Sequence, residues 1–183
     1  IYQSTTYKYD SSEHVGKLFD LEEDGFFYSR LSNPTVDCVE RKIAELEGGV
    51  GALCTSSGQA AICLAILNIC NQGDHIVASS SIYGGTLNLF TVTMKRMGIE
   101  VTLVSPDISE EDLQAVVLPN TKCIYAETIA NPALTIVDLE MFANVAHNNM
   151  IPFIVDNTFA TPINCRPFEF GADIVIHSTS KYM

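Results

Sequence analysis

Positive charge is scarce in this sequence. Ten lysines and arginines stand against 22 aspartates and glutamates, a formal net charge of −12. Such a field repels a polyphosphate, so a nucleic-acid partner is not expected, and an anionic membrane surface is disfavoured for the same reason. Long apolar runs are missing too: none approaches the ~20 residues that a membrane span needs. No basic-then-apolar start of the secretory kind is visible. The six cysteines, at 38, 54, 63, 70, 123 and 165, form no C-x-x-C pair. Their spacing suggests neither a zinc site nor a disulfide framework. Most lie in apolar stretches and read as reduced core thiols of a cytoplasmic protein. The four histidines, at 14, 75, 147 and 177, share no ligand spacing, are read as structural, and lead us to expect no metal. The absence of G-x-S-x-G weakens a serine-hydrolase reading.

What is present reads as a globular chain. Of 183 residues, 47% are apolar and 17% charged, enough for one domain with a core that buries roughly 70% of the unfolded surface. The chain opens on Ile1 and stops at Met183, soon after Lys181. Both ends look cut, as in a segment of a longer protein. Residues 1–33 are irregular and resemble an arm rather than a packed element. From Pro34 onward a strand–helix alternation sets in. Asn33 and Pro34 open a helix, and Val36, Val39, Ile43 and Leu46 share its face until Gly48-Gly49 stops it. Residues 51–55 are a strand candidate. Gly58 to Cys70 is a nearly all-apolar helix, which predicts deep burial. Strands are expected at 75–79, 101–105, 123–127, 152–156 and 173–177. Helices are expected from about Gly85 to Met97, after the Ser109 cap, and from Asp138 to Asn149. Continuous apolar strands such as IPFIV and ADIVI fit a parallel sheet covered on both faces. The class is α/β, a three-layer α/β/α domain with a mainly parallel sheet. Ligands in such domains sit at the carboxyl ends of strands.

The polar residues at those ends are the candidates. Thr55-Ser56-Ser57-Gly58-Gln59-Ala60 opens a helix, where small residues and unpaired N–H groups suit a phosphate; a plain turn explains it equally well. It is not a Walker loop, and Gly49-Val50-Gly51 lacks the third glycine of a dinucleotide fingerprint, which disfavours a nucleotide-binding Rossmann domain. Asp156 ends an apolar strand and either caps a turn with Asn157 and Thr158 or pairs with a cationic ligand nitrogen. Lys181 follows the next strand behind Ser178-Thr179-Ser180. A desolvated lysine there becomes a nucleophile toward carbonyls. Tyr83 either packs at the start of a helix or stacks on a planar ligand. Arg30, beside Tyr28, is a surface charge or a phosphate ligand. Aspartate and lysine on successive strand ends, with a separate phosphate loop, are what pyridoxal phosphate (PLP) needs: one partner for the ring nitrogen and one for a Schiff base.

Together these motifs resemble the PLP-dependent enzymes of cysteine and methionine metabolism. The matching stretches are Tyr28–Thr35, Ser56–Gln59, Tyr83–Thr86, Glu127–Pro132, Val155–Pro162 and His177–Tyr182. The resemblance implies the PLP-dependent aminotransferase-like fold (fold type I), with residues 1–33 an arm contacting a neighbouring subunit and 34–183 the PLP-binding large domain, truncated after its lysine. It implies Lys181 as the Schiff-base lysine, Asp156 on the ring nitrogen, and Tyr83 stacked on the ring and assisting proton transfer. Ser57, Gly58, Gln59, Ser178 and Ser180 would hold the phosphate. Asn131 would lie near the ring oxygen and Thr158 beside the cofactor. Tyr28 and Arg30 would reach the phosphate of an adjacent subunit, so a homo-oligomer, a dimer of dimers, is implied. Gln59, Phe19-Asp20-Leu21 and Cys165-Arg166-Pro167 look more like O-acetylhomoserine sulfhydrylases, and Gly85 stands where methionine γ-lyases carry cysteine. The implied activity is γ-replacement on O-acetyl-L-homoserine with sulfide or methanethiol. Methionine γ-lyase and cystathionine γ-synthase or lyase are the alternatives within the family. A non-catalytic fragment or assembly module is the alternative outside it. One departure is Thr179-Ser180, where the family has Ala-Thr; a hydroxyl is kept at 180. The arginine for the substrate carboxylate lies in a further C-terminal portion of relatives.

Overall fold

The computed structural model describes all 183 residues, in two compact units, Ile1–Cys54 and Thr55–Met183. The first unit holds α1 (Ser12–Phe19) and α2 (Pro34–Glu47). The irregular arm expected over 1–33 therefore contains a helix. Ser11 caps it by accepting the His14 N–H, and Leu18 is its buried residue. Backbone and side chains also tie residues 2–9 to residues 27–35. Thr6 bridges Tyr28, the Tyr9 hydroxyl donates to the Phe27 carbonyl, and the Tyr2 N–H donates to Thr35 Oγ1 at 2.9 Å. In α2, Asn33 caps, Pro34 leads, and Gly48 ends the helix at φ 77°, a left-handed conformation that costs glycine little. Residues 51–54 form no strand and are exposed: a short apolar run with no neighbour to pair with has nothing to fix it.

The second unit alternates helix and strand: α3 (Gly58–Ile69), β1 (His75–Ser79), α4 (Gly84–Asn88) running on as a π-helix (Leu89–Met94), β2 (Glu100–Val104), α5 (Glu110–Ala115), β3 (Thr121–Glu127), α6 (Leu139–Asn148), β4 (Phe153–Asp156), α7 (Thr161–Asn164), a 3-10 turn (Pro167–Phe170) and β5 (Ile174–Ile176). The five strands make one parallel sheet in the order β2-β1-β3-β4-β5. Both faces are covered. Val77, Ile124 and Val155 point to one side, where Phe142, Val145 and Leu113 of α6 and α5 pack on them. Ile76, Tyr125 and Ile154 point to the other, against Ile62 and Ile66 of α3 and Phe90 and Met94 of the π-segment. Successive side chains of a strand face opposite ways, so an unbroken apolar strand feeds two cores at once. The three-layer parallel α/β reading is thus the fold.

A third expectation is corrected. The all-apolar α3 is not deeply buried throughout: Leu64 is 53% and Leu67 41% exposed. Only the stripe facing the sheet is covered, and with Asn68 the one polar residue past the first turn, composition marked the outer face too sparsely to say where that stripe lay.

Candidate functional site

The chain order places β1 between β2 and β3. The connection after β1 runs outward to β2 and the one after β3 runs the other way to β4, so the order switches between β1 and β3, the place where ligands bind beyond the carboxyl ends of such strands. Glu127 ends β3 and Asp156 ends β4, paired in register, and Asp156 in turn pairs with Ile176 of β5. Two carboxylates and the His177–Lys181 loop therefore share one edge.

Asp156 is fixed from the loop that follows it. Its Oδ1 accepts the Thr158 N–H at 2.9 Å and the Thr158 hydroxyl. The same hydroxyl oxygen accepts the Ser178 N–H at 2.9 Å, so Thr158 couples the tip of β4 to the loop after β5. Burial pushes the Asp156 carboxyl above the usual range, opposed by the Thr158 hydrogen bonds and the His177 charge. The Lys181 N–H donates to the Ser178 carbonyl at 3.1 Å, a turn that holds the exposed lysine beyond the strand. Ser178 and Ser180 hydroxyls lie 3.1 Å apart.

The first turn of α3 comes up against this loop. Ser57 caps the helix by accepting the Ala60 N–H at 3.1 Å. Gly58 and Gln59 carry the next N–H groups, which no carbonyl of the helix can reach. A Cβ on Gly58 would stand 2.8 Å from the Ser178 Cβ, so only glycine lets the two segments approach this closely. Gln59 Nε2 donates to Thr86 Oγ1 at 3.1 Å. The helix N-terminus and the Ser178 hydroxyl thus bring donors suited to an anion close together.

Tyr83 precedes α4, with its ring half-exposed. Its N–H donates to Glu127 Oε1 at 2.7 Å, and the Asn131 N–H donates to Oε2 at 3.4 Å. Glu127 is buried, and its carboxyl is pushed up to about 7, by desolvation first and by the Asp156 charge as well. Tyr125, fully buried in the core below, has its phenol raised by desolvation and by Asp156. Neither Glu127 nor Tyr125 was anticipated. Glu127 carried the same signal as Asp156, a carboxylate closing an apolar strand.

Ser57, Gly58, Gln59, Tyr83, Asn131, Asp156, Thr158, Ser178, Ser180 and Lys181 thus all lie at or beside the strand ends of the second unit. Tyr28 and Arg30 belong to the first unit, where the Arg30 guanidinium sits 5.1 Å from the centre of the Tyr28 ring.

Comparison with known proteins then decides the family. The family model for the Cys/Met metabolism PLP-dependent enzymes matches residues 1–183. The chain belongs to that family. It is 51% identical over 182 residues to O-acetyl-L-homoserine sulfhydrylase of Corynebacterium glutamicum, covering 100% of this chain and 42% of that protein. L-methionine gamma-lyase of Porphyromonas gingivalis is 46% identical over 184 residues, with 100% and 46% covered. Among solved structures, a putative O-acetylhomoserine (thiol)-lyase of Campylobacter jejuni aligns with a TM-score of 0.93 at 40% identity, over 100% of this chain and 45% of that one. That protein holds N'-pyridoxyl-lysine-5'-monophosphate at its position 205. The chain spans less than half the length of these relatives.

The cofactor of the Cys/Met metabolism enzymes is PLP, and the residues here fit it. A phosphate finds the N–H groups of α3 beside Ser178. A cationic ring nitrogen at Asp156 would offset the desolvation that now raises its carboxyl.

Proposed function

We propose that the full-length protein containing this chain is a PLP-dependent γ-replacement enzyme. It acts on O-acetyl-L-homoserine with sulfide or methanethiol and yields homocysteine or methionine. The observation that carries this reading is the convergence of Asp156, the Ser178–Lys181 loop and the first turn of α3 at one sheet edge, with Gly58 packed against Ser178. Names of relatives support the branch: O-acetyl-L-homoserine sulfhydrylase at 51% identity and homocysteine/cysteine synthase at 47%.

In this reading Ser57, Gly58, Gln59, Ser178 and Ser180 bind the phosphate. Asp156, steadied by Thr158, holds a proton on the ring nitrogen, and Asn131 lies near the ring oxygen. Tyr83 covers the ring face and assists proton movement at the leaving group. Lys181 Nζ would hold the cofactor and would move protons between the substrate carbons. When bound, PLP supplies an electron sink for the substrate's α-carbon. Residues 34–183 form the cofactor-binding domain and residues 1–33 an arm. Tyr28 and Arg30 of that arm serve the phosphate of a neighbouring subunit in a dimer of dimers. No helix is long and apolar enough to cross a membrane, and we place the enzyme in the cytoplasm.

A methionine γ-lyase is the second reading, supported by relatives of that name at 46% and 47% identity. The full-length protein separates the two. Homocysteine formed from O-acetylhomoserine plus sulfide is the expected result. Release of α-ketobutyrate from methionine alone at a comparable rate would overturn it in favour of the lyase.

A further inference from the structure

Glu127 stands at the end of β3, at the crevice where the strand order reverses. Its two oxygens serve two different loops. Oε1 takes the N–H of Tyr83, from the loop after β1, at 2.7 Å, and Oε2 takes the N–H of Asn131, from the loop after β3, at 3.4 Å. Tyr83 is the N-cap residue of α4 and has no side-chain cap of its own; the carboxylate takes the N–H of Tyr83 itself. The Tyr83 ring is oriented from the other side too: a Cβ at Gly85 would stand 2.5 Å from its Cε1. The Tyr83 backbone is thus held by Glu127 while its ring lies over the bare face of Gly85.

The carboxylate is costly where it lies. It is 5% exposed and paired in register with a second acid, Asp156. An apolar side chain of similar volume would fill the space without that desolvation. What such a side chain cannot do is accept both N–H groups.

We propose that Glu127 is a positioning residue that clamps Tyr83 and Asn131 at the cofactor edge of the sheet. This rests on the reading that both face PLP. Glu127 touches neither substrate nor cofactor in this role; it acts through the two loops it joins.

The test uses full-length wild type, Glu127→Ala and Glu127→Gln. In Glu127→Ala both amides lose their acceptor. Their hydrogen-exchange protection in the apoprotein falls about 10-fold or more, the cost of an unmet buried N–H. With PLP the borohydride-bleachable visible band is retained, while kcat drops about 10- to 100-fold, the scale of a small misplacement of reacting groups. Glu127→Gln keeps an acceptor for Tyr83 and recovers most of the protection at that amide and most of kcat. It also stands in if the alanine variant does not fold, because loss of Asn131 protection alone, with Tyr83 protection and most of kcat kept, supports the clamp. Unchanged protection and unchanged kcat in Glu127→Ala, or a glutamine variant no better than alanine, would overturn it. A wild type that takes up no PLP sinks instead the reading on which the clamp depends, and the exchange data tell the two failures apart.

Discussion

At Gly58 the space for a single methyl group decides whether two segments can meet. Its Cβ would stand 2.8 Å from the Ser178 Cβ and 3.2 Å from the Ser178 Cα, and the backbone partner cannot swing aside as a side-chain tip would. Gly58→Ala therefore displaces the loop that carries Ser178, Ser180 and Lys181. Overpacking of this kind costs about 1–3 kcal/mol, so the PLP dissociation constant of the full-length protein is expected to rise about 10-fold or more. Gly51, with nothing within 4 Å of a Cβ, is the control: Gly51→Ala leaves binding unchanged. Equal affinity in wild type and Gly58→Ala, measured by titrating the visible band, would contradict the contact. The place of Gly58 among small residues at the start of a helix was legible in the sequence. Its closeness to Ser178 was not, because the two are brought together only by the sheet. Glu127 was missed for a related reason. A lone carboxylate at a strand end is ambiguous until the loops it binds are in place.

Elements were read well where two signals agreed. Asn33-Pro34 with Gly48 bounded α2, Ser109 and Asp138 capped α5 and α6, and all five strands of the sheet were expected within a residue or two. Where one signal stood alone it failed, as in the apolar run at 51–55 and the outer face of α3. The strand β1 carries a feature no pattern announced. His75 is buried, with Nδ1 2.7 Å from Thr121 Oγ1 of β3 and Nε2 2.8 Å from Thr102 Oγ1 of β2, tying three strands together. Burial lowers its pKa below the ordinary 6.5, against the Glu100 charge. A folded-state pKa below the unfolded one means that the unfolded chain binds the proton more readily. The stability His75 contributes is therefore present above pH 6.5 and lost as pH falls through its folded value. Asp156 and Glu127, both raised, work in the opposite sense, so the comparison is made between proteins. Apoprotein carrying His75→Gln should lose less unfolding free energy than wild type on acidification from neutrality, read from chemical denaturation at a series of pH values. Parallel pH slopes would show that His75 does not titrate on unfolding.

For the whole molecule, the acidic balance and the α/β class were plain in composition and alternation. The division into units was not, since residues 1–33 contain a capped helix of their own and residues 2–9 are tied to residues 27–35 by side-chain hydrogen bonds. Everything proposed for the molecule turns on one bond, between Lys181 and the cofactor. Asp156, Thr158, Ser178 and the first turn of α3 are arranged around the loop that ends in this lysine. The direct measurement is the visible absorbance of the purified full-length protein after reconstitution with PLP. A long-wavelength band that borohydride bleaches in wild type and that is absent in Lys181→Ala is the predicted result. A wild type that stays colourless, or a Lys181→Ala variant that keeps the bleachable band, would contradict the account.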